Sequence, residues 1–283
     1  MASFDTPEPI SVNIELLLGA VHLIASDRVD TVVVVNASDR SRNADIEAAE
    51  KTQVELSNGR LLVKVPRARG LGSYLGVHKL GSVDITIELP QDSRLQADAG
   101  LVNIRADGRL GETRIHGGAG DVRLDQTGQL EVTGSAGPVT VNRAAGRTEV
   151  TGAGDIGIGA IDGDAEIKNL NGKTWIGEVS GGLRIKSANG DITVDLAHGE
   201  VAVKTANGSV QIGEVVSGSV GLETASGGLD VGIREGTAAW VDARTRFGRV
   251  HNGLDAAGSP EPSEKAVEIR ARTSYGDIVI HRS

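Results

Sequence analysis

Between residues 120 and 236 the chain repeats one short phrase, Gly-x-Φ-x-Φ, in which Φ is usually apolar and the residues between are polar or small. The glycines that open it are Gly120, Gly128, Gly137, Gly146, Gly154, Gly163, Gly172, Gly181, Gly190, Gly199, Gly208, Gly218, Gly228 and Gly236, eight to ten residues apart. Alternation with period two is the mark of a short strand with one face buried. Strands this short cannot close a core alone, but identical neighbours stacked on one another can, which predicts a solenoid.

The phrases fall into two alternating series. One runs through Ile156/Ile158, Thr174/Ile176, Ile192/Val194 and Val210/Ile212, often with Asn or Ala before its glycine. The other runs through Thr148/Val150, Ala165/Ile167, Leu183/Ile185 and Val201/Val203. The repeat is therefore about 18 residues, with two strands per coil. Asn171, Asn189 and Asn207 share one column, where stacked amides can hydrogen-bond as a ladder. Gly190 and Gly208 follow Asn and precede strands, so positive φ is predicted for both. Right-handed coiling is expected from the usual handedness of parallel connections. Degenerate copies extend the pattern to residues 99–104, 243–250 and 271–278, and the 28-residue spacing of the last two marks an inserted loop at 252–264. Residues 1–95 read differently: strands at 11–18, 20–24, 31–35, 60–65 and 82–89, a helix at 41–51 and a Gly-rich loop at 67–81. This segment is expected to cap the solenoid of residues 96–283 and to be continuous with it, because a stack needs an atypical end unit. The fold class is thus all-β, a single-chain parallel β-solenoid with an N-terminal β-rich cap.

The rhythm GAGDVRL, GAGDIGI, ANGDITV, ANGSVQI, closing on TSYGDIVI, resembles the bacterial Toastrack family of putative adhesins, parallel β-solenoids of largely unknown function. The resemblance covers the chain from about residue 10 onward. It implies the solenoid fold and a binding role, as an adhesin or envelope-stress sensor. It implies no chemistry, because the motifs are repeat motifs.

Composition narrows the function. With no cysteine there is no disulfide framework and no thiolate chemistry. A formal charge of −9 spread along the chain is a poor match to nucleic acid, which needs a basic surface. No stretch approaches the ~18 apolar residues of a membrane span, and the N-terminus lacks the charged and apolar regions of a signal peptide. The expected location is cytoplasmic, or the cell surface if the true start lies upstream. The six histidines are scattered, and no Gly-x-Ser-x-Gly elbow or phosphate-binding loop occurs in the required context. The nine-residue half-period matches calcium-binding β-rolls, but in Gly154-Asp155-Ile156 the Asp directly precedes the apolar residue, and the next coils place Lys173, Asp191 and Ser209 at the same position. An oxygen ladder for Ca²⁺ does not survive a lysine in it. No catalytic, cofactor-binding or metal-binding residue, cofactor or small-molecule ligand is therefore expected.

The outward columns are more informative, since residues one coil apart stack at roughly 4.8 Å. Lys168, Arg184, Lys186 and Lys204 cluster on one sheet face, beside an acidic ladder of Glu131, Glu149 and Glu166. Trp175 points outward from the other strand series, where it could anchor a partner. These five residues are the candidate partner-binding positions, weighed against an ordinary solvated face. The leading expectation is a non-enzymatic scaffold that binds a protein partner, or a second copy of itself, along its faces. The alternatives are an adhesin or envelope sensor for glycans or membrane components, and a polysaccharide-active β-helix enzyme. The outward columns hold no Asp cluster for the last.

Overall fold

The computed structural model describes residues 1–66, 81–254 and 266–283, and the loops predicted at 67–81 and 252–264 fall almost wholly outside them. Among the described residues there are 25 strands and one nine-residue helix. The chain divides into two compact units, Met1–Val141 and Asn142–Ser283.

In the second unit the 18-residue period becomes a stack of coils. Thr148, Ala165, Leu183, Val201 and Val220 lie in parallel register one above another, 17, 18, 18 and 19 residues apart. The other ladder runs through Ile156, Thr174, Ile192, Val210 and Leu229. Both Φ positions of each phrase point inward, so like side chains pile up in columns. Ile167, Ile185, Val203, Leu222 and Ala271 form one such column, each at most 1% exposed. Burying a large aliphatic side chain contributes about 1.5–3 kcal/mol. The unit's core is built from Val, Ile, Leu and Ala, while Trp175, Trp240, Phe247 and Tyr275 lie at the surface.

The order of the last layers is not the order of the sequence. Strand Gly218–Ser226 pairs with Ala266–Tyr275, which in turn pairs with Ala238–Phe247. Leu229–Ile233 likewise pairs with Ile278–Arg282, and that strand with Val250–Asn252. Residues 266–282 are thus inserted between the coil before them and the coil of residues 238–252, which ends the stack. The 28-residue repeat between 243–250 and 271–278 reflects true stacking of those two segments, but with the later one underneath.

The turns explain the glycine and Asn columns. Gly190 has φ +117° and Gly208 φ +146°, as the Asn-Gly pattern predicts. Close approach adds to the requirement: a Cβ on Gly190 would lie 2.0 Å from the carbonyl oxygen of Gly172, and one on Gly208 2.1 Å from that of Gly190. Beside them the Asn189 amide donates to Asn171 Oδ1 at 2.9 Å and the Asn207 amide to Asn189 Oδ1 at 3.0 Å. The Asp residues at turns bind the next coil. Asp155 accepts the Lys173 N–H at 2.8 Å, Asp164 the Gly182 N–H at 2.8 Å, Asp191 the Ser209 N–H at 3.0 Å and Asp277 the Arg249 N–H at 2.8 Å.

The first unit combines parallel coils with antiparallel additions. Ser11–Ser26 is one strand rather than two, continuing through Gly19, and it pairs in parallel with Arg60–Lys64, Val83–Pro90 and Arg94–Arg109. Asp30–Ala37 runs antiparallel to Val83–Pro90 and to Ala2–Asp5. The helix Asn43–Lys51 starts two residues later than its composition predicts, pinned by buried Asp45, which accepts the N–H groups of Asp39 and Ser82 at 3.2 and 3.1 Å. Strand Gln53–Ser57, which pairs antiparallel with Arg60–Lys64, has no counterpart in the sequence reading, because its single alternating pair, Val54 and Leu56, lies outside the repeat and directly follows the helix.

Two outcomes follow from the turns. Gly190→Ala is expected to destabilise the fold by about 3 kcal/mol, through backbone strain and collision with Gly172. Gly157→Ala, whose added methyl would meet only the Trp175 ring at 3.7 Å, should stay within ~0.5 kcal/mol. Urea unfolding of both variants checks this, and equal losses would contradict it. Because the turn carboxylates already hold backbone N–H groups, the unfolding midpoint is expected to be the same in Ca²⁺ and in EDTA. A Ca²⁺-dependent rise in a thermal melt would show binding to the native state.

Candidate functional site

The predicted basic face lies on strands Ala165–Asn171, Leu183–Asn189 and Val201–Asn207. The inward pairs Ala165/Ile167, Leu183/Ile185 and Val201/Val203 are aliphatic and buried, which forces residues 166, 168, 184, 186, 202 and 204 outward. Lys168, Lys186 and Lys204 are directly in register from one strand to the next, and Arg184 stands between Glu166 and Ala202 in the adjoining column.

The charges are unequally engaged. Lys168 Nζ pairs with Glu166 at 2.9 Å and Lys204 Nζ with Glu223 at 2.7 Å. Lys168, with smaller contributions from Lys186 and Arg184, holds the Glu166 carboxyl below the usual carboxylate range. Lys204 does the same for Glu223, aided by Arg272. Among the described residues Arg184 and Lys186 take part in no ion pair. Arg184 also lines a shallow depression of about 280 Å³ with Arg147, Asp164, Glu166, Glu200 and Ala202. The depression forms where the column falls from long charged side chains to Ala202.

The inserted layer extends this face beyond the residues found from the sequence. Above Lys204 the column continues through Glu223, Arg272 and Arg244, and the adjoining one through Gly221, Arg270 and Asp242. Five of the six residues from Lys168 to Arg244 in that column are cationic. The signal was present in the matching strings Ala243-Arg244-Thr245 and Ala271-Arg272-Thr273, but their place in the stack depends on the layer order. The acidic ladder is weaker than its residues suggest. Glu149 lies beside Glu166 in register, yet Arg147 bonds Glu149 at 2.7 Å, and in the first unit Arg114 pairs with Glu131 at 3.4 Å.

Trp175 belongs to the other ladder, in register with Gly157 and Thr193, so it does not join the basic face. It is 44% exposed, and its Nε1 donates to Asp195 at 3.0 Å, which fixes the ring. Among the described residues no group of three His, Cys, Asp or Glu side chains is placed to hold a metal ion. No helix among them is long and apolar enough to cross a membrane.

Three solved structures resemble the chain over nearly its whole length. One, described as a putative adhesin from Bacteroides fragilis, has 8% identity and a TM-score of 0.35, with 99% of this chain and 95% of that chain covered. A protein of the same description from Parabacteroides merdae has 12% identity and a TM-score of 0.32, covering 99% and 94%. A third, from Parabacteroides distasonis, has 12% identity and a TM-score of 0.32, covering 98% and 95%. Similarity this distant says nothing about what the present chain binds. No curated protein matches it. The Toastrack DUF4097 family model, by contrast, matches residues 21–282, nearly the whole of the stacked repeats and the strands that precede them. The chain belongs to the Toastrack DUF4097 family.

Proposed function

We propose that the chain is a non-enzymatic binding scaffold whose working surface is the basic face, and that its partner is an anionic protein surface. One observation carries this reading: a column of cations is held in register on a rigid sheet, and among the described residues Arg184 and Lys186 take part in no ion pair. Stacked like charges oppose folding, so their arrangement is a cost to stability that an anionic partner would relieve. The sheet also fixes the spacing of the cations in advance, which lowers the ordering entropy lost on docking. In a protein of net charge −9 such a column is a local positive field that steers an anionic surface toward it.

The reading is tested with the double variant Lys186→Glu/Lys204→Glu. Affinity capture from the native cell should recover a partner with the wild type that the double variant loses by at least tenfold. The salt dependence of the remaining binding should be shallower, because fewer exposed charges are being screened. Unfolding in urea is expected to move by no more than ~0.5 kcal/mol, since both side chains are exposed. Equal capture by the two proteins would reduce the cluster to a solvated face.

A further inference from the structure

The layer that ends the stack is open. Ala238–Phe247 pairs along one side with Ala266–Tyr275 and Val250–Asn252 with Ile278–Arg282, and among the described residues no strand pairs with their other side. Inward residues that are sealed one layer below are half-open here. Ile269, Ala271 and Ile278 are all fully buried, whereas Val241 and Ala243 above them are intermediate and Val250 is 43% exposed. Phe247 stacks on Tyr275 with ring centroids 5.0 Å apart and 8° between planes, yet it is 58% exposed. Trp240 is 57% exposed on the same strand. An open strand is a template for pairing, and proteins usually blunt one with like-charged side chains, Lys above all, with Pro, a bulge or brevity, whereas the three charges of this strand, Asp242, Arg244 and Arg246, are of both signs and can pair across a two-fold axis. This one is ten residues long, AAWVDARTRF, with neither Pro nor Lys.

We propose that this edge pairs with the same edge of a second copy of the chain, antiparallel about a two-fold axis through Ala243. A two-fold axis normal to the sheet keeps inward residues facing inward, so that the half-open cores of the two end layers close on each other. Only axes through a residue preserve that match, and the charges select among them. An axis through Ala243 sets Asp242 opposite Arg244 twice by symmetry, with Trp240 opposite Arg246 and Val241 opposite Thr245. Opposite charges facing across strands stabilise the pair, and a guanidinium over an indole adds a cation–π contact. An axis through Asp242 sets that carboxylate against itself, and one through Arg244 sets two guanidinium groups together. Within one chain Arg244 Nε already bonds Asp242 at 2.9 Å, so the two pairs would join into one alternating network. Because the contact is isologous, both edges are consumed and assembly stops at two copies.

The test is the oligomeric state of the full chain by sedimentation equilibrium. The wild type should be a concentration-dependent dimer. Arg244→Glu, facing Asp242, and Asp242→Arg, facing Arg244, should each raise the dissociation constant at least tenfold. An equimolar mixture of the two variants should recover dimers, heterodimeric by native mass spectrometry, because the charges then complement each other. A second measurement does not depend on either charge. The chain has no cysteine, so Ala243→Cys should cross-link to its own copy under mild oxidation, while Gln211→Cys on an outward strand position should not. A wild type that stays monomeric at all concentrations overturns the proposal. So does a dimer indifferent to both charge variants, growth beyond two copies, or equal cross-linking at residues 211 and 243.

Discussion

Everything in the second unit depends on one constraint: each coil must lie on the coil below at the spacing of hydrogen-bonded parallel strands. At the turns this leaves no room for a side chain between backbones. Gly190 over Gly172 and Gly208 over Gly190 are the direct consequence, with the carbonyl of one coil where the next residue's Cβ would be. The polar residues at the same turns serve the same end. Asn189 binds Asn171, and Asp191 takes the N–H of Ser209, so hydrogen bonds run from coil to coil outside the strands as well as within them. Inside, the constraint favours β-branched residues, which fill a narrow space without the width an aromatic ring needs. That is why the unit's aromatic side chains are found outside.

The same constraint gives the exterior its character. A repeating coil turns any preference at one outward position into a straight column, and Lys168, Lys186 and Lys204 are such a column. Glu166 and Glu223 pair with Lys168 and Lys204 at its ends, and among the described residues Lys186 between them is in no ion pair. Trp175, also exposed, stands on the other ladder beside Asp195, so the indole and the basic column occupy different faces.

Much of this was legible in the sequence, because the repeat is the fold. The register of every pair from Thr148 to Leu222 follows from the glycine spacing, and the Asn ladder and the positive φ of Gly190 follow from residue type alone. What was not legible is spatial order. A repeat shows which segments stack but not which lies above, and the copies at 243–250 and 271–278 exchange places relative to the chain. Arg244, Arg270 and Arg272 were missed on the basic face for that reason. Strand Gln53–Ser57 was missed because it offers a single alternating pair, Val54 and Leu56, outside the repeat and directly after a helix.

The exchange of layers has a physical logic. An end layer covers its inward residues on one side only, so bulky aliphatic side chains placed there lose much of the benefit of burial. The sandwiched segment carries Val267, Ile269, Ile278 and Ile280, each at most 1% exposed, and the end layer carries the smaller or more polar Ala239, Val241, Val250 and Asn252 at the positions above them. Each segment therefore suits the layer it occupies, and the two could not be exchanged without opening four large side chains to water. By that logic the end layer should have shed its remaining apolar surface as well. Trp240, Phe247 and Val250 instead remain exposed beside a backbone edge that no strand among the described residues pairs with. Small inward residues with large exposed ones suit a layer that is finished by contact with another chain rather than by water.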